Sequence, residues 1–135
     1  MTANATSARS RHTAPATDES TPIVRVDNLA VSFDNGSGPR IQAVDGVRMT
    51  IYPRQTLAVV GESGCGKSVT AMSMLQLIPR PPGRFDRGSI NFRSEHGPVD
   101  LVRLNNRQMR EVRGNDIAMI FQEPMTSLNP VYTVG

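Results

Sequence analysis

The chain has 135 residues, enough for one small domain or for part of a larger one. No apolar run approaches the roughly 20 residues of a membrane helix, and the N-terminus lacks the apolar stretch of a secretion signal, so a cytoplasmic location is expected. The formal net charge is only +3, and the arginines are scattered without interleaved aromatic residues, which argues against a nucleic-acid partner.

The patterned part of the chain begins after a polar tail. Residues 1–22 carry too little apolar surface to offset the entropy of ordering, so we predict a disordered tail there. Apolar and polar residues then alternate from Val24 to Phe33 and again from Val47 to Ile51. This alternation predicts two half-buried antiparallel strands. Between them, residues 34–40, DNGSGPR, have the composition of a turn.

The alternation of apolar and polar residues stops at residues 56–60, TLAVV. Consecutive apolar residues there predict a strand covered on both faces. The glycine-rich stretch GESGCGKS follows at 61–68. Segment 68–78, drawn as a helix, would be apolar on nearly all of its faces. This predicts a buried helix, which ends before Pro79. The order strand, glycine loop, helix is the context that a phosphate-binding loop requires.

The remaining elements are shorter. Residues 89–93 and 99–104 predict two short strands around a loop. Asn105 with Gln108 three residues later is a capping-box pattern for a helix whose Met109 and Val112 share one face and which Gly114 can end. A second buried strand is predicted at 116–121, DIAMIF.

The stretch 61–68 matches the pattern G-x-x-x-x-G-K-[ST]. Gly61 and Gly66 allow a close backbone approach that a β-carbon would block. The loop N–H groups and the positive end of the helix would cradle the α and β phosphates, Lys67 would contact the β and γ oxygens, and Ser68 would ligate Mg²⁺. Lys67 is the only lysine among 15 Lys and Arg residues, and a compact ammonium fits among backbone amides where a guanidinium fork does not.

A phosphate loop by itself leaves kinases, GTPases, motors and transporters open. GTPases read their base with Asn-Lys-x-Asp, which a chain whose single lysine is Lys67 does not contain. The discriminating residues are Phe33 upstream of the loop and MIFQEPMTSLNP at 119–130 downstream of it. With these motifs, residues 23–135 resemble the ATP-binding subunit of an ABC transporter, in the subgroup that imports oligopeptides, dipeptides or nickel.

The resemblance implies an α/β fold, the ABC-type nucleotide-binding domain of the P-loop NTPases. Residues 23–135 would form its antiparallel β subdomain and the start of its parallel-sheet core. The resemblance also implies that Phe33 stacks on adenine and that Gln122, the Q-loop glutamine, reaches the magnesium ion and the attacking water. The alternatives are that Phe33 only packs in the core and that Gln122 is a solvated loop residue.

Site roles follow from the same resemblance. Lys67 and Gln122 would be catalytic, and Ser68 and Gln122 would bind magnesium. ATP would be contacted by Phe33 and by the whole phosphate loop: Gly61, Glu62, Ser63, Gly64, Cys65, Gly66, Lys67, Ser68 and Val69.

The implied assembly is larger than this chain. It contains transmembrane permease subunits, a second ATP-binding subunit and, indirectly, an extracytoplasmic substrate-binding protein, with the chain peripheral on the cytoplasmic side of the cell membrane. The family's signature sequence and Walker B motif follow the Q-loop, so the sequence is expected to be an N-terminal fragment that does not hydrolyse ATP alone. Two alternatives stay open: a non-catalytic nucleotide-binding remnant, and a P-loop enzyme outside transport such as a small-molecule kinase.

Overall fold

A computed structural model describes residues 20–121 of the chain. Most of the predicted disordered tail therefore lies outside the described residues, and so does Gln122, the predicted Q-loop glutamine. The described part contains four strands and two helices: β1 Val24–Phe33, β2 Ile41–Ile51, α1 Lys67–Met74, β3 Gly83–Ser94, β4 Gly97–Asp100 and α2 Asn106–Val112.

The strands form one antiparallel sheet in the order β2-β1-β3-β4. The first two strands confirm the prediction of two antiparallel strands, although β2 begins at Ile41 and not at Val47, and the loop between them confirms the predicted turn. Strand β3 begins at Gly83, earlier than predicted, and β4 ends at Asp100 rather than continuing to 104. The Asp100 carboxylate accepts a hydrogen bond from the Val102 backbone N–H at 3.1 Å. This side-chain bond diverts the chain into a turn and ends the strand.

The hydrophobic core lies against β1 and β3 and includes the face of α2. Leu29, Ile90 and Leu101 are fully buried, together with Met109 of α2. The predicted capping box is present: the Asn105 side chain accepts from the Gln108 N–H, and the Gln108 side chain accepts from the Asn105 N–H, both at 3.0 Å. These bonds satisfy N–H groups that a helix start otherwise leaves unpaired, and they fix where α2 begins.

The two predicted buried strands at 56–60 and 116–121 are wrong. Neither segment is a strand, and both expose large apolar side chains: Val60 is 88% and Ile120 is 91% exposed. A strand requires a neighbour for its backbone groups, and no strand within residues 20–121 pairs with either segment. Helix α1 ends at Met74, short of the predicted residue 78, and its buried residues are the polar Thr70 and Ser73. Neither described helix is long and apolar enough to cross a membrane.

One carboxylate joins the ends of three neighbouring strands. Asp86 of β3 accepts hydrogen bonds from Ser32 Oγ of β1 at 3.0 Å and from Gln42 Nε2 of β2 at 3.4 Å. Arg84 Nε donates to it at 3.2 Å, and Arg40 Nη1 lies 3.9 Å away. Burial raises the pKa of the Asp86 carboxyl, but the hydrogen bonds from Ser32, Arg84 and Gln42 lower it by more. We call these five residues the Asp86 cluster.

We expect Asp86→Asn to destabilise the chain near neutral pH, because an amide does not accept these charge-assisted bonds as strongly. The pKa of the folded-state carboxyl lies below the unfolded value of about 3.9. Its stabilising contribution is therefore present above that pH and is lost as the pH falls through the folded-state pKa. Urea unfolding near pH 7 and at about pH 3 measures this: the difference in unfolding free energy between wild type and variant should shrink at the lower pH.

The matched control is Asp27→Asn, which removes an ion pair with Arg48 whose two side chains are 53% and 72% exposed. This variant should lower the free energy of unfolding by less than Asp86→Asn does, because exposed ion pairs contribute at most about 1 kcal/mol. An Asp86→Asn effect of the same size at both pH values would contradict the assignment of the stabilisation to the ionised carboxylate.

Candidate functional site

The candidate site is the loop at residues 61–66 and the first turn of α1. The loop turns at Ser63 and Gly64, and the helix begins at Lys67, as the phosphate-loop pattern predicts. The preceding segment 56–60 is not a strand, so the predicted order of strand, glycine loop and helix is present only in its last two parts.

Gly66 is the point at which the loop meets the sheet. It caps α1 in the left-handed conformation, with φ +91°, and no side chain caps the helix there. A β-carbon at Gly66 would lie 2.5 Å from the Ala43 carbonyl oxygen and 3.3 Å from Val44 Cγ2. Only glycine meets both demands, because it tolerates positive φ and has no side chain to collide with β2.

A register shift in the sheet lies at the same point. Val31 pairs with Val44, but Ser32 pairs with Gln42, so Ala43 of β2 has no partner in β1. Such an irregularity leaves one residue out of the ladder and bends the strand locally. The sheet therefore presents the Ala43 backbone to the phosphate loop at the position where Gly66 packs.

The helix start presents free backbone donors. The N–H groups of Lys67, Ser68 and Val69 have no intrahelical acceptor, since a helix leaves its first N–H groups unpaired. Within residues 20–121 no other group accepts from them, whereas the next amide, that of Thr70, bonds the Gly66 carbonyl at 2.9 Å. In the loop itself, the Cys65 N–H bonds the Glu62 carbonyl at 3.4 Å. Free amides and the helix dipole together favour an anion at this end of α1.

Lys67 is bonded to its own loop. Its ammonium donates to the Gly61 carbonyl at 2.7 Å and to the Glu62 carbonyl at 2.6 Å, with a weaker contact to Cys65 Sγ at 3.5 Å. The sequence pattern did not predict these bonds. Two of the three ammonium donors hold the loop closed, and the third meets only a weak sulfur acceptor, so it is the donor most easily transferred to a phosphate oxygen.

The donor set near α1 fits a phosphate-bound magnesium ion. Ser68 is exposed, and its hydroxyl makes no hydrogen bond with other described residues. No group of three or more His, Cys, Asp or Glu side chains in residues 20–121 is placed to hold a metal. Mg²⁺ usually takes few protein ligands and completes its shell with phosphate oxygens and water, so a single hydroxyl beside a phosphate site suits it.

The cleft beside the loop is mostly apolar, unlike the helix start. It encloses about 380 Å³ between β2, the segment 56–60 and α1, with Lys67 and Ser68 at its polar end. The other lining side chains are apolar: Met49, Ile51, Leu57, Val59, Ala71 and Met74. Apolar walls of this kind suit packing and do not suit phosphates.

Phe33 lies at the end of β1, half-buried against the core. Its Cα partners are Ile41 of β2 and Gly83 of β3. Ala43, which contacts the loop glycine, is two residues beyond Ile41 on β2. At a rise of about 3.3 Å per residue, the end of β1 is therefore roughly 7 Å along the sheet from the phosphate loop. The structure brings these two parts of the predicted site to the same end of the sheet.

The other predicted loop residues lie together as one segment. Residues 61–65 are exposed, while Val69 packs its side chain on the core and leaves only its N–H for a ligand. Sequence reasoning missed three residues of the sheet: Ala43, which contacts Gly66, and Gly83 and Asp86, which contact the end of β1.

The sequence profile of the ABC transporter family matches residues 44–135. The chain belongs to the ABC transporter family. Its phosphate loop is therefore that of a P-loop NTPase, and the antiparallel sheet is the N-terminal part of an ABC domain.

Individual relatives are about 50% identical to this ABC chain over the residues that align with it. It is 50% identical to the oligopeptide transport ATP-binding protein OppD of Bacillus subtilis over 115 residues, which cover 85% of this chain and 31% of OppD. It is 49% identical to the dipeptide transport ATP-binding protein DppD of the same organism, covering 84% of the chain and 32% of DppD. A peptidoglycan transport ATP-binding protein, YejF of Agrobacterium fabrum, is 48% identical over 84% of the chain and 20% of its own length. The chain thus spans about a third or less of the curated relatives it matches.

We expect Gly66→Ala to destabilise this ABC chain by about 1 to 3 kcal/mol, because it combines a left-handed backbone with a collision against the Ala43 carbonyl. The matched control is Gly64→Ala, where φ is also positive, +81°, but nothing lies within 4 Å of the added carbon. Urea unfolding of both variants separates backbone strain from the collision. Equal losses of stability in the two variants would show that contact with β2 contributes nothing.

Proposed function

We propose that this chain binds ATP with Mg²⁺ as part of the ATP-binding subunit of a peptide importer. The observation that carries the proposal is the start of α1, where the N–H groups of Lys67, Ser68 and Val69 find no acceptor within residues 20–121 and the Lys67 ammonium is bonded to the adjoining loop. Positive charge and free donors at one point suit a triphosphate better than any neutral ligand.

Each residue has a distinct role in this proposal. The N–H groups from Gly61 to Val69 bind the α and β phosphates, and the Lys67 ammonium exchanges its weak sulfur contact for a phosphate oxygen. The Ser68 hydroxyl is a magnesium ligand, and Phe33 stacks on adenine. Bound Mg²⁺ neutralises part of the phosphate charge. Gln122 is proposed to reach the magnesium ion and the attacking water, on the strength of its place in the Q-loop motif.

The transport role rests on the relatives. Two of them are an oligopeptide transport and a dipeptide transport ATP-binding protein. We therefore place this chain, in the intact transporter, on the cytoplasmic face of the membrane with permease subunits and a second ATP-binding subunit. ATP binding and hydrolysis by the pair would drive import of peptides that an extracytoplasmic binding protein delivers.

We expect Lys67→Ala to abolish binding of ATP to the purified chain, because it removes the only cation in the loop. Lys67→Arg should also fail, since the planar guanidinium does not fit between the Gly61 and Glu62 carbonyls as a point charge does. Titration calorimetry with Mg²⁺ present measures both. Arg48→Ala, which removes an exposed cation of the sheet, is the control and should bind as wild type does. Wild-type affinity in Lys67→Ala would remove the proposed site.

For the adenine contact, we expect Phe33→Ala to weaken ATP binding about tenfold, the effect of losing one base-aromatic stack. Binding of inorganic tripolyphosphate, which carries the phosphates without the base, should be unchanged. An equal loss for both ligands would mean that Phe33 only packs in the core.

A further inference from the structure

Phe33 is placed by a glycine on the neighbouring strand. A β-carbon at Gly83 would lie 3.0 Å from Phe33 Cε1 and 3.4 Å from Phe33 Cδ1. The shorter distance is tighter than nearly all real β-carbon contacts and the longer one is at the limit of ordinary van der Waals contact, so a side chain at Gly83 would press against the edge of the phenyl ring. Gly83 is itself buried in β3. The missing side chain thus determines how close the ring comes to the sheet.

Gly83 is held by the segment that precedes it. Its N–H donates to the Pro79 carbonyl at 2.8 Å, and the added β-carbon would lie 2.8 Å from the same oxygen. The next residue after Phe33, Asp34, donates its N–H to the Pro82 carbonyl at 3.0 Å. The segment before β3 is therefore hydrogen-bonded both to the start of β3 and to the residue that follows β1.

The Asp86 cluster fixes the backbone that carries the ring. Ser32 directly precedes Phe33, is only 2% exposed, and donates its hydroxyl to the Asp86 carboxylate. Successive side chains of a strand point to opposite faces, so this bond holds β1 from the face opposite the ring. Gln42 ties β2 into the same arrangement, with its Nε2 also donating to the Val44 carbonyl at 2.8 Å.

We infer that Gly83 and Asp86 are positioning residues for Phe33 and set how strongly the site binds the adenine base. The nearest groups to a β-carbon at Gly83 belong to Pro79 and Phe33, and the carboxylate of Asp86 is bonded to its own cluster, so within residues 20–121 neither is bonded to the phosphate loop. They act on the base and leave the phosphates unaffected. This inference rests on the proposed function, in which Phe33 stacks on adenine.

The test compares two ligands that differ by the nucleoside. Gly83→Ala and Asp86→Asn are each titrated with ATP and with inorganic tripolyphosphate, in the full chain and with Mg²⁺ present. Both variants should bind ATP about threefold to tenfold more weakly, approaching the loss expected for the whole stack, and should bind tripolyphosphate as wild type does. A purely structural role would weaken both ligands together, so the ratio of the two affinities is the decisive readout.

Matched controls guard against a general loss of stability. Gly38→Ala adds a methyl group at the β1–β2 turn near only the flexible Asn35 side chain, and Asp27→Asn breaks an exposed ion pair of the same sheet. Neither control should change the ratio of ATP to tripolyphosphate affinity. If Gly83→Ala does not fold, judged by its circular dichroism, Asp86→Asn decides the question alone.

The outcomes separate this inference from the proposed function. If Phe33→Ala lowers the affinity ratio but Gly83→Ala and Asp86→Asn do not, the positioning role is overturned and ATP binding stands. If Phe33→Ala leaves the ratio unchanged, base stacking fails and the positioning role fails with it. If wild-type chain binds neither ligand, the proposed function itself fails.

Discussion

The site depends on one close approach, between Gly66 and the Ala43 carbonyl of β2. Without a β-carbon, the loop reaches the sheet backbone at a distance that no other residue permits. The register shift that leaves Ala43 unpaired brings this carbonyl to the loop. Helix α1 begins at the next residue, so a glycine and an irregular strand together determine where the helix starts against the sheet.

The ammonium of Lys67 shows how the loop holds its shape before a ligand enters. Bonds to the Gly61 and Glu62 carbonyls neutralise oxygen atoms that would otherwise repel a phosphate. In the proposed site, the same cation would offer its remaining donor to the ligand. A single lysine would then serve both the fold of the loop and its affinity for anions, which is consistent with its being the only lysine among 15 Lys and Arg residues.

The antiparallel sheet connects the two chemical halves of the proposed site. At one end of β2, Ala43 meets the phosphate loop, and two residues away Ile41 pairs with Phe33, the proposed adenine contact. The Asp86 cluster and Gly83 hold that strand end from β3. A nucleotide has a charged end and a flat apolar end, and this sheet provides fixed positions for a contact to each.

The sequence by itself determined those features of the structure that depend only on residues close together in the chain. The phosphate loop, the capping box of Asn105 and Gln108, and the alternation in β1 and β2 all involve residues a few positions apart, so their physics is visible in the order of the residues. Only the tertiary structure decided the rest. The segments 56–60 and 116–121 are apolar enough for buried strands, but a strand exists only where another strand pairs with it. None of the described strands pairs with either segment, and Ile117 makes only an isolated bridge to Arg113. Ser32 meets Asp86, and Phe33 meets Gly83, across about 50 residues of chain, and no local pattern encodes which distant residues will share a strand end.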